Sequence, residues 1–183
     1  MRIDINQKKI SLRTKYNIFL NKKESFIASK ELLTFLSVIN LFSIEENRTI
    51  ISMKQKWSWF STNYKIIYGN EVLNFTTKSY WKLHYQCQHQ NDKYDIYGHR
   101  GRKYSIYKNE VQIAYWDKEA VSWFSGDNYM IVADNDVNHE LLIAFCLILD
   151  NAKSNDKDGA TVTYDFGNIG WQTKKYNPNW IAK

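Results

Sequence analysis

Apolar and polar residues alternate along most of this chain, and near the carboxyl end the alternation stops. In "ELLIAFCLILD" (140–150) every residue from Leu141 to Leu149 is apolar, so no face is left for water. The run is far shorter than the roughly 20 residues that cross a bilayer, and Asp150, Asn151 and Lys153 close it at once. With its flanks, His139 to Lys153 makes a helix of roughly 22 Å. Asp136 and Asn138 stand at N-capping positions, and "DNAK" ends the segment. A helix that is apolar all round is a buried helix.

The preceding segments read as strands. "KYNIFLN" (15–21), "NYKIIYGNEVLNF" (63–75), "KYDIYGHRGRKYSIYKNEVQIAY" (93–115) and "DNYMIVADND" (127–136) place Tyr, Ile, Val or Trp at every second position. That spacing turns one face of each strand inward. "IIYGNEV" (66–72) and "SIYKNEV" (105–111) read as one hairpin written twice, with Gly69-Asn70 and Lys108-Asn109 as turn residues. "WFSTNYKI" (59–66) and "WFSGDNYMI" (123–131) form a second echo. "SKELLTFLSVINLF" (29–42) points elsewhere: its apolar pairs recur every three residues behind Ser29, and by pattern alone it is helical.

Geometry narrows the architecture. A helix with side chains is about 10–12 Å across, and an eight-stranded barrel holds only its own side chains. Enclosing the helix therefore takes more strands. Residues 1–135, at roughly 10–12 residues per strand and turn, supply about a dozen. The expectation is a mainly β protein: a closed antiparallel β-barrel of about 12 strands around a central hydrophobic C-terminal α-helix. The helix is expected at about residues 138–152, inside a unit spanning residues 1–153.

Composition adds bounds. A chain of 183 residues fits one domain, and 44% apolar with 16% aromatic residues is too much packing material for a disordered chain. The net charge of +6 favours anionic partners without choosing between phospholipid and nucleic acid. Cys87 and Cys146 are too few for a disulfide framework. The amino end has no continuous apolar core, which argues against a secretory signal. A cytoplasmic protein without a transmembrane segment is expected.

Candidate chemistry is sparse. Cys87 and His89 share a strand face and hint at zinc, but no second pair completes a site. Asp134-x-Asp136-x-Asn138 begins like a calcium loop, but His139 replaces the glycine, so it reads as a turn and helix cap. Ser154-x-Asp156-x-Asp158-Gly159 with Asp165 comes closer, yet strand-like sequence follows it, and it reads as a solvated loop. Nucleophile, phosphate-loop and metalloprotease motifs are absent from the sequence. No enzyme activity, metal or cofactor is expected. The one local charge cluster is His99-Arg100-Gly101-Arg102-Lys103, whose arginines can grip phosphate oxygens. Lys8, Lys9, Arg13 and Lys15 enlarge it if the first strand lies nearby. The plain alternative is a solvated hairpin tip.

"ISLRTKYNIF" (10–19), "IISMKQKWSWFSTNYKI" (50–66), "YGHRGRKYSI" (97–106) and "WDKEAVSWFSGDNYMIVADNDVNHELLIAFCLILD" (116–150) resemble, in this order, the LURP-one-related family of the tubby C-terminal-domain-like superfamily. The Gly98 to Tyr104 spacing is similar to the family's hairpin. The resemblance covers roughly residues 5–152. It implies a 12-stranded barrel threaded by its C-terminal helix, with strands rather than a helix over 29–42. It also implies a non-enzymatic binding module, since tubby-like domains bind phosphoinositides and scramblase-like relatives act at membranes. The acidic and aromatic residues that often follow the family glycine are replaced here by His99 to Lys103, and no lipid ligand carries over by position.

Three readings of function follow. The first is binding of anionic lipid headgroups, or of a partner at the membrane surface, by a peripheral cytoplasmic protein. The second is binding of nucleic acid by the basic loops. The third is a structural or interaction domain that engages another protein through residues 154–183. That extension is expected to pack one or two short strands on the barrel exterior, anchored by Trp171, Tyr176 and Trp180.

Overall fold

In the computed structural model the described residues are 1–10, 13–31, 36–58, 61–79, 83–99, 101–117, 128–158 and 174–183. They form β1 (Arg2–Ile10), β2 (Arg13–Leu20), β3 (Lys23–Glu31), β4 (Val38–Ser43), β5 (Arg48–Gln55) and β6 (Tyr64–Tyr68). These are followed by β7 (Glu71–Ser79), β8 (His84–His89), β9 (Asp92–His99), β10 (Lys103–Lys108), β11 (Val111–Asp117), β12 (Asn128–Ala133) and α1 (His139–Asp158). Each strand pairs antiparallel with its neighbours in sequence, and β1 closes on β12 with Arg2 opposite Val132 and Asn6 opposite Asn128. Closure leaves no sheet edge to recruit another chain.

Strand alternation supplies the inner wall. Ile3 and Ile5 on β1, Ile39 and Leu41 on β4, and Ile131 and Ala133 on β12 are fully buried. Their sequence neighbours point outward. The stretch 29–42 follows the same rule, with β3 ending at Glu31, β4 starting at Val38, and residues 32–35 outside the described set. Its three-residue apolar spacing loses to the ladder bonds and inward packing that closure requires.

α1 fills the barrel. No residue from Leu141 to Leu149 is more than 3% exposed. The Phe145 ring lies 5.7 Å from both Phe75 on β7 and Tyr94 on β9. Asn138 caps the helix: its Oδ1 accepts from the Leu141 amide at 3.0 Å. The helix runs on to Asp158, past the expected end at Lys153, because the sequence meets no Gly or Pro before Gly159.

The twice-written hairpin is folded in two registers. In the first copy Tyr68 pairs with Glu71, and the turn is Gly69-Asn70 with Gly69 at φ 58°. In the second copy Lys108 pairs with Val111, so the turn is Asn109-Glu110 and not Lys108-Asn109. A lysine tolerates a left-handed first position poorly, whereas Asn tolerates it well. The turn slides by one residue, leaving Asn109 at φ 48° and Glu110 at φ 70°. A bulge between Ile106 and Tyr107 absorbs the slip.

The Gly98–Tyr104 spacing has a steric cause. The two residues are cross-strand partners. A β-carbon on Gly98 would fall 2.7 Å from the Leu83 Cβ and 3.1 Å from the Tyr104 ring.

The packing of α1 makes a stability prediction. Phe145→Ala is expected to cost about 3–5 kcal/mol of unfolding free energy. Val72→Ala, at a position 53% exposed, is expected to cost under about 0.5 kcal/mol. Urea denaturation of both variants checks the contrast.

Candidate functional site

The up-and-down order sorts the connections into two rims. Turns leading from an even to an odd strand are short and polar, as at Asn21-Lys22, Gly69-Asn70, Gln90-Asn91 and Asn109-Glu110. They form a turn rim, where α1 enters beside β12. Connections from an odd to an even strand form the opposite loop rim, where α1 emerges. Contacts of the helix agree with this direction. His139 meets Phe26 at 5.8 Å, and Asn138 donates to the Tyr68 hydroxyl at 3.3 Å, both near the turn rim. At the far end the Asp150 carboxylate accepts from the Tyr16 hydroxyl at 2.7 Å and from the Tyr129 hydroxyl. Asn151 donates to the Tyr64 hydroxyl at 2.5 Å.

Charge is divided between the rims. The turn rim carries Glu24, Glu45, Glu46, Glu71, Asp92, Glu110, Asp134, Asp136 and Glu140. Against these stand Lys22, Lys23, Arg48, Lys93 and Lys108, of which Arg48 pairs with Glu46, Lys93 with Asp95 at 3.1 Å and Lys108 with Asp92 at 2.8 Å. The loop rim carries Lys8, Lys9, Arg13 and Lys15 from β1 and β2, and Lys30 from β3. It continues with Lys54 and Lys56 around the end of β5, Lys65, Lys78, Arg102 and Lys103. Against these cations, the described strands bring only Glu31 and Asp117 to that rim.

Two pairs of lysines face each other on the loop rim. Lys8 is the cross-strand partner of Lys15, and Lys54 is the partner of Lys65. Like charges directly opposite in a sheet are destabilising. Lys8, Lys15, Lys54, Lys65 and Lys78 make no ion pair among the described residues. Nothing in the fold requires this repulsion, since outward positions accept any polar residue.

The two hairpins singled out in the sequence thus reach the same rim, separated only by the connection between β11 and β12. Their members differ in state. Arg102 sits half-buried at φ 56° beside the mouth of the barrel. Lys103 pairs with Asp117 at 3.1 Å and lies 5.7 Å over the Tyr176 ring. His99 is 4% exposed, donates to or accepts from the Ser105 hydroxyl at 2.7 Å, and packs against Tyr176 at 5.3 Å. Burial pushes its pKa down to about 4, so it is neutral near pH 7 and contributes no charge. Arg100 lies outside the described residues, as do the side chains of Lys9 and Arg13.

The barrel mouth itself does not suit an anion. Arg102, Tyr104, Trp116, Tyr129, Cys146, Leu149 and Asp150 line a cavity of about 20 Å³ there, room for roughly one water. Asp150 would repel a phosphate placed inside.

The last described segment crosses the exterior of β9 to β11. Tyr176 and Trp180 meet Tyr115 edge-on at 6.5 and 5.9 Å, and Lys174 lies 4.0 Å over the Tyr107 ring. Trp180 also donates to the Gln112 carbonyl at 3.2 Å. Residues 174–183 form no strand, and Trp171 lies outside the described residues.

The other sequence candidates are structural. Cys87 points into the core, His84 contacts Asp95 at 2.8 Å, and His89 contacts Glu71 at 3.3 Å. Among the described residues no three His, Cys, Asp or Glu side chains converge as metal ligands. Residues 134–138 form the turn and cap before α1. Ser154 to Asp158 of the second calcium-like stretch are helical, and its remainder lies outside the described residues.

A closed antiparallel barrel sheathing one apolar helix, with opposite charge at its two ends, defines the class of protein. The family model described as LURP-one-related matches residues 1–150, and the chain belongs to that family. No curated protein matches the chain, and no solved structure does. Among the described residues no helix is long and apolar enough to cross a membrane.

His99 sets a pH expectation. Its folded pKa of about 4 lies below the ordinary 6.5, so between these values the unfolded chain holds the proton and the folded one does not. Stability then falls as pH drops from about 6.5 to about 4 and levels off below. His99→Gln removes this contribution. The wild-type minus variant difference in unfolding free energy, measured across pH 3–8, is expected to decline over that window and to be flat above it.

Proposed function

We propose that this protein is a non-enzymatic binding module that docks its loop rim onto anionic phospholipid surfaces. The observation that supports the reading best is the facing of Lys8 with Lys15 and of Lys54 with Lys65 on one rim. A protein that keeps like charges opposed, with no acid among the described residues to neutralise them, gains most when an external anion arrives. Arg102 and the loop-rim lysines make the target broad and shallow, which suits a bilayer of headgroups better than a single small ligand. Each lysine near an anionic membrane surface contributes about 1 kcal/mol. Family membership and the barrel fold agree with a binding role, as does the phosphoinositide binding of tubby-like domains that the resemblance brings in.

Single-stranded nucleic acid would draw on the same cations but also needs a row of exposed aromatic faces for stacking. The outward aromatics Tyr107 and Tyr115 are covered by Lys174, Tyr176 and Trp180, and among the described residues Trp57 is the one largely exposed aromatic on the basic rim, a single ring and not a stacking platform, which favours the lipid surface.

The test uses sedimentation with vesicles of phosphatidylcholine alone, with added phosphatidylserine, and with added phosphoinositide. Binding is expected only with the anionic lipids and is expected to weaken as salt shortens the screening length below about 10 Å. Lys15→Glu turns a repulsive pair into an attractive one. It is expected to raise stability by about 0.2–1 kcal/mol while weakening vesicle binding roughly tenfold. Salt-sensitive binding to oligonucleotides, with none to vesicles, would replace this reading by the nucleic-acid one.

A further inference from the structure

We infer that Trp57 seats in the headgroup layer of an anionic bilayer and fixes the barrel end-on, loop rim toward the membrane. The inference rests on the reading above and adds the residue and the orientation. Trp57 follows β5 on the loop rim and is 52% exposed. The other exposed large apolar residues are aliphatic: Ile44, Val72 and Val111 sit toward the turn rim, and Ile181 lies in the C-terminal segment. Trp57 is thus the exposed aromatic on the basic end among the described residues.

Its surroundings suit that placement. Lys56 precedes it and holds Asn74 at 2.7 Å, while Lys54, three residues before Trp57, faces Lys65 across the ladder. An indole on a strand end that also carries Lys54 and Lys56 matches a headgroup layer, where the ring meets the acyl boundary and its N–H still finds a polar partner. The lysines supply attraction at a distance, and the indole supplies an anchor that salt does not screen.

The acidic end completes the argument. A strand of about six residues separates the rims by close to 20 Å, more than the screening length of about 8 Å at physiological salt. With the loop rim docked, the carboxylates of the turn rim stand clear of the bilayer. With the barrel reversed or lying on its side, they would meet it.

The test attaches a thiol-reactive NBD fluorophore at Trp57→Cys in the full chain. Cys87 and Cys146 are buried at 1% exposure, so the introduced thiol labels selectively. Val72→Cys on the turn rim is the control. With vesicles of phosphatidylserine and phosphatidylcholine, NBD emission at position 57 is expected to rise several-fold and shift to the blue, with no change at position 72. If labelled Trp57→Cys fails to fold, quenching of intrinsic fluorescence by brominated lipids, wild type against Trp57→Phe, gives the same readout. Binding by sedimentation without a change at 57, or with an equal change at 72, overturns the anchor and orientation and leaves the anionic-surface reading standing. Absence of wild-type binding to any anionic vesicle overturns both.

Discussion

A helix that offers water no face has to be surrounded, and the rest of this structure follows from that requirement. The side chains of Leu141 to Leu149 project in every direction around α1, so packing on one sheet would leave half of them wet. Closure of twelve strands removes the problem and the sheet edges together. The wall is fitted to its occupant, with Phe75 and Tyr94 reaching Phe145 from different strands. Where the apolar run stops, the wall changes chemistry with it. Tyr16, Tyr129 and Tyr64 turn their hydroxyls to Asp150 and Asn151. Burial pushes the Tyr64 pKa up to about 12, and that of Tyr16 is raised by burial and by the Asp150 carboxylate. Both phenols remain protonated at physiological pH, Tyr16 donating to Asp150 and Tyr64 accepting from Asn151.

Sealing the interior leaves outward side chains and connections to do the protein's work. An antiparallel barrel gathers alternate connections at opposite ends, so residues far apart in sequence become neighbours on a rim. Lysines spread from β1 to β10 form one basic end, while carboxylates from the intervening turns form the other. The small water-sized cavity beside Asp150 is too tight for an anion. On the reading proposed above, recognition is a surface property of the fold, and its directionality comes from topology.

Much of the fold was legible in the sequence because its signals are local. The apolar run, the Asn138 cap and the two-residue alternation each depend on side chains within a turn or two. The twice-written hairpin shows where locality ends. "YGNEV" and "YKNEV" differ at one position, and that difference, lysine for glycine, moves the turn by one residue. The candidate site was legible only in part. The cluster at His99 to Lys103 stands out as letters, yet His99 is buried and neutral and Lys103 is engaged by Asp117. Lys54, Lys65, Lys78 and Trp57 went unmarked because nothing nearby in sequence distinguishes them. Their signal is register, with Lys54, Lys65 and Lys78 on outward positions beside the connections that follow β5 and β7, and it can be read only once strand ends and closure are known.

The enclosure of α1 is the claim on which the remainder stands, and native-state hydrogen exchange measures it most directly. Amides from Leu141 to Leu149 are expected to exchange only through global unfolding, with the full unfolding free energy and the full denaturant dependence. Exchange of those amides through low-energy local openings, while the barrel strands stay protected, would contradict the account.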